Sequence, residues 1–352
     1  MLMEWSIDNC KRKANKVVQL VKHLKDCRKK AEAATAFGSY TVETKEDGIY
    51  SFWVINEDGT CQGGWSRTGN KLVHVERIVQ GLEEGFAIKG AQVVMGELVN
   101  RTVSLEELGA MYKSSRKKPL TDGIATKAKK ATAKNPGHEI GDRIHFDEIE
   151  AHQFTCLKIF DVVTLDEFNE GKSLTPYWQR RYNIIDGLTC DGWGNQIIFR
   201  SKVLSKGIHN LAVVNRIAEQ VIELGEEGIV AKLENAGWVA GRKDHTSFKI
   251  VSGYDIDLEC VGYEEGDAGT KREGMVNKLV FRWKAFEDKS NPDTFLAIDG
   301  CATDVMRREW LLNPEQILGT IFKIKGLCIG SQGSIRLAKF HEQRLDKSEP
   351  DL

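Results

Sequence analysis

A chain of 352 residues is longer than one hydrophobic core serves, since single cores stop growing at roughly 250–300 residues, so two domains with a cleft are expected. With 41% hydrophobic and 29% charged residues the composition is that of an ordinary soluble globular protein rather than a disordered or membrane one, and no apolar run reaches membrane-spanning length. Fifty basic against 51 acidic residues leave a formal net charge of -1, so global charge announces no nucleic-acid partner.

The opening MLMEWSIDNCKRK lacks the continuous apolar core of a secretory signal, and a cytoplasmic chain without membrane contact is expected. Residues 8–34 carry a basic excess around Val17, Val18, Val21 and Leu24. Their spacing predicts one apolar helix face, so residues 1–36 are expected as a basic helical segment packed on the domain that follows. TVETKEDGIY (residues 41–50) runs from a strand into a lysine, an acid and a glycine. The β-branched and aromatic run 49–55 meets the turn Asn56-Glu57-Asp58-Gly59, the signature of a hairpin. Leu72, Val75, Ile78, Val79 and Leu82 keep helical spacing, and 91–99 returns to strand.

Between residues 113 and 142 the chain is Lys- and Ala-rich, with eight basic residues against one acid, Asp122, from 113 to 134. This reads as a solvated loop, or as an arm that neutralises phosphates. Strands are expected at 153–163, 196–204 and 227–233, and helices at 178–187 and 209–224. Residues 37–252 thus form a mixed domain. From 253 to 352 short strands at 255–263, 276–286, 294–298, 319–329 and 334–341, with one helix near 304–312, fit a small barrel of the oligonucleotide-binding (OB) type. Eight scattered cysteines with no CxxC pair indicate neither a zinc module nor a disulfide framework.

Lys45-Glu46-Asp47-Gly48 by itself is a weak signal, a turn lysine beside a glycine. Its company is more specific. Downstream in order come Ser66-Arg67-Thr68-Gly69, Gly96-Glu97-Leu98, Ile159-Phe160-Asp161, Glu227-Gly228-Ile229-Val230-Ala231-Lys232, Ser247-Phe248-Lys249-Ile250, and Arg344-Leu345-Asp346-Lys347. This series resembles the collinear nucleotidyltransferase motifs of ATP-dependent DNA ligases, and the short two-domain layout is similar to the phage-type members. The resemblance implies an α+β fold, an adenylation domain of antiparallel sheets and helices followed by an OB-fold β-barrel domain.

It also implies a chemistry. Lys45 is identified as the nucleophile that attacks the α-phosphorus of ATP, forming a covalent lysine-AMP and releasing pyrophosphate. Only a neutral amine attacks, and freeing an unperturbed lysine of its proton at pH 7 costs roughly 4–5 kcal/mol, so Lys232, Lys249 and Arg67 are expected to converge nearby as like charges. Glu97 resembles the ribose-binding acid and a metal ligand, Phe160 the aromatic that stacks on adenine, and Glu227 the acid that holds Mg²⁺. Lys232 and Lys249 resemble the lysines on the α-phosphate. Arg344, Asp346 and Lys347 resemble the element that swings over ATP to orient pyrophosphate. AMP then passes to the 5′-phosphate of nicked duplex DNA, gripped by Arg67, and Asp47 assists sealing by the 3′-hydroxyl. A monomer is expected.

Three positions depart from the pattern. Tyr50 stands where arginine is usual, Val251 where a second phosphate-contacting lysine is usual, and Ala338 where proline is frequent. If both lysines are needed, another residue such as Lys243 has to serve. An RNA ligase or a GTP-dependent capping guanylyltransferase would share most of these motifs, and a nick-binding protein with weakened transfer is licensed by Tyr50 and Val251. An NAD-dependent ligase is disfavoured by the missing four-cysteine module.

Overall fold

The structure, a computed structural model, describes residues 5–10, 12–86, 90, 92–103, 105–113, 115, 119–120, 124–125, 145–146, 148–188, 197–283, 294–326, 335 and 337–351. Most of the Lys-rich stretch expected at 113–142 lies outside them. The chain divides into two compact units, residues 1–124 with 146–251, and residues 125–145 with 252–352.

Two five-stranded sheets build the first unit. In chain order the strands are β1 Lys22–His23, β2 Tyr40–Thr44, β3 Ile49–Ile55, β4 Cys61–Ser66, β5 Gln92–Val99, β6 Cys156–Thr164, β7 Ile198–Arg200, β8 Val203–Ile208, β9 Gly228–Leu233 and β10 Ser247–Val251. One sheet runs β1-β10-β9-β2-β8 and the other β7-β6-β5-β3-β4. Pairing is antiparallel except where β1 meets β10 and β7 meets β6.

Period-two alternation sorts the first sheet into a core face and a polar face. Tyr40 and Val42, Ile229 and Ala231, and Phe248 point into one apolar cluster. That cluster is closed by the helix Leu211–Glu223, whose Leu211, Val214, Ala218 and Val221 form a buried stripe at helical spacing. Asn210 caps this helix by accepting the Ala212 N–H. The intervening residues Glu43, Val230, Lys232, Ser247 and Lys249 face the other way, and they line a cavity. The second sheet is buried on both faces. Val94, Leu98, Leu157 and Ile159 pack on one side with Ile78 and Leu82, while Phe52, Val54, Val93 and Met95 pack on the other with Trp5, Trp65 and Phe168.

The N-terminal reading is corrected here. Residues 8–34 do not form one amphipathic helix. They run through 3₁₀ turns at Ile7–Cys10 and Ala14–Lys16, the strand β1, a further 3₁₀ turn at Leu24–Asp26, and only then the helix Arg28–Ala34. Val17 and Val18 are buried in the cluster around Trp5 and Trp65, and Leu24, Cys27 and Ala31 in the cluster under the first sheet, so the segment serves two cores rather than presenting one helix stripe. Smaller shifts follow the same logic. The helix read from Leu72 starts at Glu76, residues 148–154 are helical before β6 begins at Cys156, and the single strand expected at 196–204 is two strands in different sheets.

In the second unit the strands β11 Tyr254–Glu265, β12 Val276–Trp283, β13 Thr294–Ile298, β14 Ile321–Gly326 and β15 Lys339–Gln343 form one antiparallel sheet, ordered β13-β12-β11-β14-β15. Among the described residues its two edges meet only through an isolated bridge between Gly300 and Phe340, so the hydrogen-bond ladder is not that of a closed barrel. Phe281, Phe322, Phe340 and Trp310 make its aromatic core. Arg307, fully buried on the helix Asp304–Leu312, is neutralised by Asp299 at 2.7 Å and donates to the carbonyls of Val276 and Gly300.

Candidate functional site

Lys45 follows β2 by one residue and keeps the parity of Thr41 and Glu43, so its side chain leaves the sheet on the polar face. Its backbone N–H donates to the Gly228 carbonyl at 2.9 Å, which pins the end of β2 to the start of β9 and sets Glu227 alongside. The Lys45 ammonium donates to Glu227 Oε2 at 2.6 Å. The group nearest the amine is therefore a carboxylate, where the sequence pointed to a ring of cations.

Two glycines of the motifs have steric causes. A Cβ on Gly48 would lie 2.2 Å from the Leu98 carbonyl oxygen and 2.7 Å from Glu97 Cγ. Gly228 has φ +140° and would meet the Ile250 carbonyl at 2.2 Å. Gly48→Ala is thus expected to cost about 1–3 kcal/mol by forcing β3 away from β5, read as a lowered thermal midpoint. A variant as stable as the parent would show that the approach of the two strands is not tight.

The cavity, about 330 Å³, is walled by the polar face of the first sheet and the ends of β3, β5 and β6, with Gln19, Leu20, Val21 and His23 along one rim. Six predicted residues line it: Lys45, Arg67, Glu97, Phe160, Lys232 and Lys249. Glu227 adjoins it through Lys45. Asp47 is exposed and is not a lining residue, and neither is Val251. Arg344, Asp346 and Lys347 belong to the second unit. There Arg344 forks onto Asp346 at 2.8–2.9 Å, and Arg344 and Lys347 both donate to the buried Asp257, at 2.6 and 2.7 Å.

Charge in the cavity is unevenly compensated. Lys232 is buried with its ammonium 3.4 Å from Glu43, 2.9 Å from the Phe160 carbonyl oxygen and about 4.5 Å above the Phe160 and Tyr177 rings. Burial lowers its pKa, with Glu43 and Asp161 opposing. It does not join the Lys249 cluster as expected, because Glu43 holds it. Among the described residues Arg67, Lys243 and Lys249 have no carboxylate within 4 Å, yet all three line the cavity. Burial lowers the Lys249 pKa, and the like charges of Lys45, Lys243 and Arg67 push it the same way against Glu227. The acids show the converse. Burial pushes the Glu97 carboxyl up to about 8, with Lys45 opposing and Glu227, Asp47 and Glu46 adding repulsion.

Several wall residues had no sequence signal. Arg180 and Arg181, adjacent on the helix Tyr177–Gly187, look like a solvated face but are both buried. Arg180 grips Asp161 with two parallel bonds, at 2.7 and 3.1 Å, and Arg181 lies 3.7 Å from Glu43. Tyr177 donates its hydroxyl to Glu43. Gln19, Leu20, Val21 and His23 reach the cavity because Val18 and Leu20 hydrogen-bond to Gly241 and Arg242.

An amine on a strand end, a carboxylate at its side and unpaired cations around an aromatic-walled cavity make a site for nucleophilic attack on a polyphosphate. Residues 18–250 match the family model described as ATP dependent DNA ligase domain, about two thirds of the chain. The chain belongs to the ATP-dependent DNA ligases.

The ligase is similar in fold to three solved structures at 16% identity each. Pmar-Lig_Pre aligns over 93% of this chain and 67% of its own with a TM-score of 0.66. A Lig E DNA ligase aligns over 93% and 98% with a TM-score of 0.58. The ATP-dependent DNA ligase from bacteriophage T7, in complex with ATP, aligns over 94% and 99% with a TM-score of 0.50. A search among curated proteins returned no match. No helix among the described residues of the ligase is long and apolar enough to cross a membrane.

Proposed function

We propose that this ATP-dependent DNA ligase seals nicks in duplex DNA through a covalent AMP on Lys45. The observation that carries the reading is the cavity itself, in which Lys45, Glu97, Phe160 and Lys249, far apart in sequence, share one wall system with two further unpaired cations, Arg67 and Lys243. Attack by Lys45 Nζ on the α-phosphorus forms the N–P bond as the P–O bond to pyrophosphate breaks. The amine must first lose its proton, and Glu227 Oε2 at 2.6 Å is the nearest acceptor. Lys249 and Arg67 balance charge that develops on the phosphoryl oxygens. Phe160 offers its face to the base, and Glu97 its carboxyl to the sugar.

Glu97 and Glu227 are the residues that would hold Mg²⁺. Among the described residues no three His, Cys, Asp or Glu side chains form a metal cage. Mg²⁺ suits such a place, since it is ordinarily bound by one or two carboxylates with phosphate oxygens and water. Burial raises Glu97 and repulsion from Glu227, Asp47 and Glu46 adds to it, and that repulsion is what a divalent cation would relieve. Bound there, the ion would supply charge neutralisation of the phosphates.

Arg67 is proposed to receive the 5′-phosphate of the nick, and Asp47, exposed beside the site, to assist sealing. Arg344, Asp346 and Lys347 are proposed to act on departing pyrophosphate, from a second unit of OB type. The enzyme is proposed to work as a monomer in the cytoplasm. Incubation with Mg²⁺ and labelled ATP or GTP, denaturing electrophoresis and peptide mapping tests the central claim. ATP-derived label on Lys45, chased into ligated product by nicked DNA, is the expected result. Label from GTP alone would move the protein to capping chemistry.

A further inference from the structure

Strand parity places Asp257 away from the core of the second unit. On β11 its neighbours Ile256 and Leu258 point into the aromatic cluster, so the Asp257 side chain leaves the opposite face of the sheet. A carboxylate there is ordinarily solvated, yet this one is only 6% exposed.

The residues that cover it are those of the last motif. Arg344 follows β15 by one residue and its N–H donates to the Ile321 carbonyl at 2.7 Å, after which the chain turns, with the Lys347 N–H on the Arg344 carbonyl at 3.1 Å. The turn brings both cationic heads onto one oxygen, Asp257 Oδ2, at 2.6 Å from Arg344 Nη1 and 2.7 Å from Lys347 Nζ. The backbone closes the arrangement. Asp351 N–H donates to the Asp257 carbonyl and Asp257 N–H to Asp351 Oδ2, each at 2.9 Å.

Two like charges drawn together repel, and a carboxylate shared by both offsets that cost. Asp346 and Asp351 are the other acids in contact with them, but their side chains are 67% and 43% exposed, so water screens them where it does not screen Asp257. The side chains of Arg344 and Lys347 remain 22% and 32% exposed, which leaves them open to an anion.

We propose that Asp257 is a positioning residue of the adenylation step, holding Arg344 and Lys347 side by side as a two-pronged clamp for departing pyrophosphate. The inference rests on the reading above that these two cations act on pyrophosphate, and it adds the group that sets their spacing.

The test compares the full chain with Asp257→Asn, which keeps the shape and the backbone bonds to Asp351 but not the charge. Two steps are timed separately: formation of labelled adduct across concentrations of ATP, and sealing of a nick supplied already adenylated, which involves no pyrophosphate. Adduct formation is expected to fall about ten- to a hundredfold, the cost of misplacing a clamp by about 1 Å. Reversal of the adduct by inorganic pyrophosphate is expected to fall with it, and sealing to keep the parent rate. Asp351→Ala, which removes an exposed acid and leaves Asp257 on both cations, is expected to adenylate as the parent does. Equal losses in both steps of Asp257→Asn, with a lowered thermal midpoint, would make Asp257 a structural group only and overturn the proposal. So would unchanged adenylation, or a loss in Asp351→Ala as large as in Asp257→Asn. Arg344→Ala locates a failure: if it forms adduct like the parent, the cations do not serve pyrophosphate, and the reading of the motif falls together with the proposal. Absence of adduct from ATP with the parent enzyme is a separate result, and it sinks the ligase reading itself.

Discussion

Lys45→Ala is expected to abolish the covalent AMP adduct, a fall of at least about a thousandfold, while the protein stays folded. The rate falls because the bond to phosphorus is made by the amine itself, and the second lysine of the cavity floor, Lys249, is fixed on β10 rather than at the end of β2. The fold survives because the pair that is broken is not fully buried. Lys45 and Glu227 keep 19% and 11% of their side-chain exposure. The cost therefore falls between the ~0–1 kcal/mol of an exposed ion pair and the ~3–5 kcal/mol of a buried one. Lys45→Arg separates the two effects. It preserves a cation for Glu227 and restores stability, but a guanidinium does not deprotonate and should form no adduct. Intact-mass measurement after incubation with ATP decides the matter, and an AMP-bearing Lys45→Ala protein would show that the nucleophile lies elsewhere.

Arg180→Ala is expected to destabilise the first unit more than any change at the nucleophile. Arg180 and Asp161 are among the most buried charged side chains of the cavity wall, at 4% and 8% exposure. Truncating the arginine strands the Asp161 carboxylate and also frees the carbonyls of Thr175 and Ala236, to which Arg180 donates. Breaking a buried pair costs about 3–5 kcal/mol, and for a unit of this size that is a fall of roughly 10 °C in Tm. The companion variant carries Arg180→Met with Asp161→Leu, removing both charges at once. It is expected to recover much of the lost stability, because the penalty arises from the unpaired charge rather than from loss of attraction. Calorimetric unfolding of the two variants tests this. A single variant within 1 kcal/mol of the parent would mean that water reaches Asp161.

The comparison of these two sites bears on how the cavity works. Lys45 is held by Glu227 at 2.6 Å and the Glu46 carbonyl at 3.4 Å, and its side chain keeps some exposure to the cavity. Arg180 locks β6 to the helix Tyr177–Gly187 and so fixes Phe160, the residue next to Asp161. A nucleophile set inside a rigid wall is what positioning of a phosphoryl group asks for.

Much of this was legible without coordinates, for identifiable reasons. The strands Ile49–Ile55, Gln92–Val99 and Gly228–Leu233 and the helices Glu76–Gly85, Tyr177–Gly187 and Leu211–Glu223 followed from local periodicity, whereas the helices Leu105–Tyr112, Glu148–Phe154 and Leu165–Glu170 did not. The glycines of the Lys45 and Glu227 motifs were visible in the sequence, but their reason was not, since each meets the carbonyl of a strand distant in the chain. The linear order of Lys45, Arg67, Glu97, Phe160, Glu227, Lys232 and Lys249 was enough to name the chemistry.

What the sequence could not decide was every pairing between distant charges. Glu43, Asp161, Arg180 and Arg181 read as ordinary polar residues, because burial depends on which helix covers which sheet and not on the residue's neighbours in the chain. Lys232 and Lys249 look equivalent in their motifs, yet a carboxylate two strand positions before Lys45 neutralises one and leaves the other unpaired. Residues 8–34 show the same limit from the opposite side. Their apolar spacing suited a helix, but Val17 and Val18 are consumed by one packed cluster and Leu24 by another, and short turns and a two-residue strand carry the chain from one to the other. Local pattern determined the elements and the reaction. The tertiary packing decided which charges were cancelled, and therefore which groups remain available to a nucleotide.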